Sequence, residues 1–269
     1  FSFYYEDIIS FISKASGKKI IFTIHGGSFG EFFDRKKSWV QRVLSRADVI
    51  TVPSEFMFNN LESRGVKSII IPNIINFNDY KFKFRDEFKP KLLWMRTYHP
   101  VYNPIMAIKT IEILKDKGIN VNLIMAGFDS GYKKEVEDYI KENKLEEYVT
   151  VKGVILGNEK QEVADNCDIY LNTNNIDNTP VSLIEMGAMG LPIITTDVGG
   201  IKYMYKNEVN AFLVKENDFV SMANYVELII NNSEKTKSIV KNSYEYSRLY
   251  DSENVLKMWE DLINNFNKQ

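Results

Sequence analysis

Two Rossmann-like, doubly wound parallel-sheet domains in series, the N-terminal one short, form the α/β fold that this sequence predicts. Three observations carry that expectation. Short apolar runs alternate with helical stretches in both halves of the chain. The alternation stops once, between Pro72 and Pro90, and 269 residues are enough for two cores of ordinary domain size.

In chain order, an apolar helix-like run from Phe1 to Ala15 ends near Gly17 and is followed by strand Ile20–Ile24 and a Gly-rich loop, His25 to Gly30. The spacing then predicts a helix over 36–47, where Trp39 pairs with Val43 and Val40 with Leu44 at i,i+4. Strand Val49–Val52 comes next. Ser54 is placed to cap a helix carrying Glu55 in its first turn, and Ser68–Ile71 reads as a strand. Residues 1–72 are thus expected as a partial first domain, with 73–90 as a linker because Asn73, Asn76, Asn78 and Asp79 mix with aromatic and charged residues without a period. The alternation resumes with strand Lys91–Met95 and a helix opened by Asn103 and Pro104. Strands over 121–126, 148–151 and 168–171 and a helix from about 133 to 143 continue the series, and a second domain is expected over 91–250. Phe219, Met222, Ala223, Val226 and Ile230 form one helical core stripe, and Leu256, Trp259, Ile263 and Phe266 form another. The second stripe places a C-terminal helix over 251–269, read as crossing back to the first domain.

Composition narrows the function. Lys and Arg number 34 against 36 Asp and Glu, so the basic excess that phosphate-backbone binding needs is missing and a nucleic-acid partner is disfavoured. No apolar stretch approaches the length of a transmembrane helix, and nothing resembles a signal peptide. The single Cys167 has no partner for an intrachain disulfide and gives no metal-ligand spacing, which fits a reducing, cytoplasmic setting. The first residue is Phe and the chain opens in mid-pattern, so residues preceding it are expected.

Ligands of open α/β sheets bind beyond the carboxyl ends of the strands, which directs attention to the loops after Ile24, Met95, Gly127, Gly153, Leu171 and Thr195. Arg96 follows a strand directly, and a guanidinium there can hold a phosphate bidentately. Asp177 sits in a loop rich in Asn, Thr and Pro, and Glu185 lies eight positions later on a short apolar helix that ends in Gly190 before a buried strand. Both carboxylates can accept hydrogen bonds from sugar hydroxyls. Gly199 and Gly200 precede a helical turn over 201–205, where backbone N–H groups also favour phosphate.

The run from Asp177 through Ala188-Met-Gly-Leu-Pro-Ile-Ile194 to Gly199-Gly200 resembles the donor-binding signature of the family 4 glycosyltransferases, retaining enzymes of GT-B architecture with an E-x7-E element. Arg96 to Pro104, Leu123 to Gly127, Val149 to Gly153 and Asp168 to Thr173 occur in the order that family shows. Thr23 to Gly27 and Ile71-Pro72-Asn73 resemble its landmarks in the first domain, so the resemblance covers nearly the whole chain. It implies transfer of a sugar from a nucleoside diphosphate donor to a hydroxyl of a glycan, lipid-linked or small-molecule acceptor, with retention and without a cofactor or metal. By the same resemblance Glu185 meets the ribose, and Asp177 stands near the transferred sugar. The backbone around Thr179, Pro180, Val181 and Ser182 faces sugar and phosphate, Arg96 binds the diphosphate, and Gly153 and Val154 lie near the base. His25 approaches sugar or acceptor from a loop that includes Gly26 and Gly27. Two residues depart from the family pattern. Asp177 replaces the usual Glu, and Tyr102 stands where a Lys commonly follows the Arg, which leaves one cation for the diphosphate. The chain also holds no Asp-x-Asp pair.

Other readings compete. Taken singly, Arg96 reads equally as an ion-pair partner and His25 as a satisfied loop histidine, and only context makes them site residues. Asp197 reads as a turn residue, and His99 as positioning its own loop. Gly26-x-Ser28-x-Gly30 after a strand matches a hydrolase nucleophile elbow, but His99 is the only downstream His that a triad could use. The basic side of helix 36–47, with Arg42 and Arg46, suits peripheral membrane docking and, more simply, a solvated face. A chain that binds a sugar nucleotide without turning it over, or needs a partner subunit, is the remaining alternative.

Overall fold

The computed structural model describes residues 2–266 and divides the chain into two units, one reaching to Asn73 and resuming at Lys257, the other comprising Ile74–Leu256. In the first, α1 (Ser2–Ala15), β1 (Ile21–Thr23), α2 (Phe29–Arg35), α3 (Lys37–Leu44), β2 (Val49–Val52), α4 (Glu55–Glu62) and β3 (Ile69–Ile70) build a three-stranded parallel sheet in the order β1-β2-β3. Ile24, Phe33, Val40, Val52, Met57 and Leu61 form its core. Ser54 caps α4 as expected, its hydroxyl accepting from the Met57 amide at 3.2 Å. The helix expected over 36–47 is present as α3, set off at Lys36 (φ −130°, ψ 36°) from α2, which precedes it inside what looked like loop. The origin of α2 is aromatic packing: Phe33 is fully buried, and Phe29 and Phe32 both meet Phe3 edge-on or tilted.

Arg42 and Arg46, read as part of a solvated basic face, converge on Asp7 of α1. Asp7 Oδ2 accepts from the Trp39 indole N–H at 2.6 Å and from Arg42 at 2.8 Å, and its Oδ1 accepts from Arg46 at 2.5 Å. These donors hold the Asp7 carboxyl down from 3.8 to about 2, the Trp39 N–H contributing most. Because the folded value lies below the unfolded one, this stabilisation is present above the unfolded pKa and is lost as pH falls through the folded one. Amides of α1 are therefore expected to lose hydrogen-exchange protection between about pH 4 and pH 2, and Asp7→Asn to abolish that transition.

The second unit carries β4 (Lys91–Met95), α5 (Pro104–Asp116), β5 (Asn122–Ala126), α6 (Lys133–Glu142), β6 (Val149–Val151), α7 (Asn158–Asp165), β7 (Ile169–Asn172), α8 (Val181–Ala188), β8 (Ile193–Thr196), α9 (Ile201–Met204), β9 (Phe212–Val214), α10 (Phe219–Asn231) and α11 (Ser233–Ser247). Helix α12 (Ser252–Phe266) begins in this unit and its residues from Lys257 group with the first. The six strands are all parallel, in the order β6-β5-β4-β7-β8-β9. Every residue of β7 and β8 is buried, as a sheet covered on both faces requires.

The stretch read as a linker is structured from Ile74 onward and belongs to this unit. Its anchor is Arg85, which is 6% exposed. Arg85 donates to the backbone carbonyls of Lys83, Ala164, Cys167 and Gly190 at 2.9–3.2 Å and pairs with Asp168 at 3.1 Å. Phe88 is buried beside it. The segment lacks a period because single side chains, not a repeating face, attach it. Among the described residues no helix is long and apolar enough to cross a membrane.

Candidate active site

In the second sheet β4 and β7 lie side by side while the chain winds away from them in opposite directions, so the switch-point crevice opens beyond their carboxyl ends. Arg96 follows β4, and residues 173–180 follow β7. Buried polar bonds stitch the two loops together. Thr173 Oγ1 donates to the Tyr102 carbonyl at 2.7 Å while accepting from the Trp94 indole at 2.9 Å, and the Asn175 amide donates to the Val101 carbonyl at 2.8 Å.

This stitching brings Arg96 and Asp177 together. Arg96 Nη2 donates to Asp177 Oδ2 at 2.6 Å and Nη1 donates to Ser182 Oγ at 3.2 Å, with the guanidinium 4.3 Å above the Tyr102 ring. Tyr102, the residue in place of the second cation, thus supports the first one from beneath. Asp177 also accepts from the Asn174 side chain at 2.7 Å and the Asn178 amide at 2.8 Å. Burial nonetheless raises its pKa above the usual carboxylate value, against the pull of Arg96 and these two donors.

The Asp177 loop rests on Gly199 and Gly200. The Gly200 amide donates to the Asp177 carbonyl at 2.8 Å. Gly199 has φ +53°, and a Cβ on it would lie 2.1 Å from the Asp177 carbonyl oxygen; one on Gly200 would lie 1.8 Å from that of Asn178. The sequence suggested amides open to phosphate here. The structure instead gives the Gly200 amide to the Asp177 loop, and the pair allows two backbones to approach closely.

Helix α8 starts directly after this loop. Pro180 at its N-cap offers no side-chain acceptor to the first-turn amides, and Ser182 faces Arg96. Glu185 lies on the second turn, 9% exposed, and its Oε1 accepts from the Tyr80 hydroxyl at 2.8 Å and the Lys160 ammonium at 2.7 Å. Arg96, Asp177, Thr179, Pro180, Val181, Ser182 and Glu185 thus fall on the β4 and β7 loops and the first turns of α8. Gly153 and Val154 follow β6, two strands from β4, where Val154 is exposed and the Gly153 carbonyl accepts from the Gly127 amide at 3.0 Å. His25, Gly26 and Gly27 belong to the first unit, in the loop after β1. Ser28 stands at the N-cap position of α2 there without a side-chain capping bond, while His99 Nδ1 accepts from the Val101 amide at 3.1 Å and Asp197 pairs with Lys215 at 2.6 Å.

Three residues of the site escaped the sequence reading. Asn174 lay unremarked in the Asn-rich run, Tyr80 in the supposed linker, and Lys160 on a helix whose sequence shows almost no apolar stripe. Among the described residues no group of three or more His, Cys, Asp or Glu is gathered to hold a metal ion.

Comparison with known proteins gives a consistent set of likenesses. The sequence model for glycosyl transferases group 1 matches residues 76–246, and that for glycosyltransferase family 4 matches residues 2–79. An uncharacterised glycosyltransferase of Methanocaldococcus jannaschii is 24% identical over 229 residues, covering 81% of this chain and 61% of its own length. The capsular polysaccharide biosynthesis glycosyltransferase CapM of Staphylococcus aureus is 24% identical over 161 residues, 60% of this chain and 41% of that protein. The chain therefore spans less than two thirds of either relative. Among solved structures, HepE of Anabaena in complex with UDP superposes with a TM-score of 0.84 at 16% identity, covering 98% of this chain and 76% of HepE, a likeness of fold.

Proposed function

This chain belongs to the family 4 glycosyltransferases, with the GT-B fold, and on that premise we propose that it moves a sugar from a nucleoside diphosphate donor to a hydroxyl of a glycan or lipid-linked acceptor. The observation that carries the reading is the pairing, across the switch point, of a cation at the start of α8 with a nearly buried carboxylate one turn further along it. Arg96 and the first-turn amides suit the diphosphate, and Glu185 suits the ribose diol. A diphosphate arriving at Arg96 competes with Asp177 for the guanidinium. Asp177, once displaced, is the carboxylate we place beside the transferred sugar.

Charge developing on the leaving diphosphate is met in this reading by Arg96 and the helix terminus, so we propose transfer that needs no metal and continues in the presence of EDTA. We also propose retention by same-face displacement, read from the anomeric configuration of the product by NMR. UDP, bound in the HepE complex, is the first nucleotide to test, and polysaccharide biosynthesis, for which CapM is named, is the first setting in which to seek the acceptor. The same reading gives the His25–Gly27 loop to the acceptor and the cytoplasm as the setting.

Glu185→Ala is expected to weaken nucleotide binding by about 10- to 150-fold, the worth of a hydrogen bond to a charged group. Isothermal titration with UDP, GDP and ADP measures it; affinities equal to those of the unaltered chain for all three would remove Glu185 from the site.

A further inference from the structure

Glu185 is more tightly furnished than its place in the donor reading requires. Its Oε1 accepts two hydrogen bonds, from Tyr80 at 2.8 Å and Lys160 at 2.7 Å, and these come from two different elements. Tyr80 lies in the strap before β4, and Lys160 on the first turn of α7. The strap is clipped to that same helix by Gln161, whose side chain accepts from the Lys81 amide at 2.9 Å and donates to the Lys81 carbonyl at 3.0 Å. The main chain next to Tyr80 is thereby fixed from both sides. Burial, and then the charge of Glu185, push the Tyr80 hydroxyl well above its ordinary pKa, so it remains a donor.

Both donors converge on one oxygen. A carboxylate held in this way cannot rotate about its terminal bond without breaking two charge-assisted hydrogen bonds. Tyr80 and Lys160 also line a polar cavity of about 720 Å³ between the 78–81 segment and the start of α7, to which Glu185 itself does not contribute.

We infer that Tyr80 and Lys160 are positioning residues for donor recognition: by holding Oε1 of Glu185 they fix the orientation in which Oε2 meets the ribose hydroxyls. The inference rests on the donor reading above and adds two residues to it. Preorganisation of this kind raises affinity because the side chain is ordered before the ligand arrives. Lys160 also offsets the charge of a carboxylate that α8 carries into a nearly buried position, which a neutral residue at 160 would leave to Tyr80 alone.

The test separates orientation of the ribose-binding carboxylate from general support of the fold. Affinities of the unaltered chain, Tyr80→Phe and Lys160→Met are measured by titration calorimetry for UDP, GDP and ADP and for the 2′,3′-dideoxy form of each. Each variant is expected to bind the preferred ribonucleotide about 10-fold more weakly. Each should bind the dideoxy form as the unaltered chain does, and should cause no further loss in a Glu185→Gln background. Equal losses for the ribo and dideoxy forms, or no loss for either, would overturn the inference. Should Tyr80→Phe fail to fold, Lys160→Met decides alone, because its side chain is partly exposed on a surface helix. If the unaltered chain binds none of the three diphosphates, the donor reading itself fails and takes the clamp with it. Ribose discrimination that survives both variants intact sinks the clamp alone.

Discussion

Arg96→Met is expected to abolish donor binding and, separately, to destabilise the second unit by about 3–5 kcal/mol, the typical result of removing one partner from a buried ion pair. Both side chains are largely buried, 14% exposed for Arg96 and 15% for Asp177, so solvent screens the pair little. Without Arg96, Asp177 retains only two neutral donors, Asn174 and the Asn178 amide, in a place where burial already raises its pKa. Adding Asp177→Asn to Arg96→Met removes the stranded charge and is expected to restore most of the stability without restoring transfer. Chemical denaturation, with hydrogen exchange followed in β4 and β7, reads the first effect, and nucleotide titration reads the second. A double variant no more stable than Arg96→Met would show that the pair is not what holds this loop.

Gly200→Ala is the second substitution with a large expected effect. Its methyl group would lie 1.8 Å from the Asn178 carbonyl oxygen and 2.7 Å from the carbonyl carbon, and neither is the end of a flexible side chain. The Asp177–Asn178 backbone must therefore move, and the bond from the Gly200 amide to the Asp177 carbonyl must stretch or break. A displacement of about 1 Å at a positioned group costs on the order of 100-fold in rate, and the overpacking about 1–3 kcal/mol in stability. Turnover of the preferred sugar nucleotide should fall by that factor while affinity for the free nucleotide falls less, since Glu185 lies a turn and a half away on α8. Unchanged turnover would mean that the loop bearing Asp177 tolerates displacement and does not place a reacting group.

The parts of the fold that were legible beforehand are those whose buried faces are apolar. Ile193 and Ile194, between Gly190 at φ +78° and Asp197, read as a buried strand and are one. Helix α11 escaped notice for the opposite reason. Its buried face includes Thr236, Ser243 and Ser247, and Gly187 of α8 lies against the two serines: a Cβ on Gly187 would stand 2.4 Å from Ser247 Oγ and 2.9 Å from Ser243 Oγ. Close helix packing selects small side chains, and small side chains carry no hydrophobic period. Strand β9 has only three residues, too few for alternation to register. At the site, the eight-residue spacing pointed to Asp177 and Glu185, and the family resemblance implied separate duties for them. The ion pair between Asp177 and Arg96 joins residues 81 positions apart, and the clamp on Glu185 joins it to Tyr80 across 105. Such contacts follow from the strand order and not from any local pattern.

The Arg85 anchor bears on where this protein can be divided. A fragment beginning at Lys91 keeps all six strands of the second sheet, yet it discards the guanidinium that answers the carbonyls of Ala164, Cys167 and Gly190 and the carboxylate of Asp168. It also discards Tyr80 from Glu185. A fragment beginning at Ile74 keeps all of these. Of two recombinant pieces differing by seventeen residues at one end, only the longer is expected to purify as a cooperatively folding domain that recognises a nucleotide.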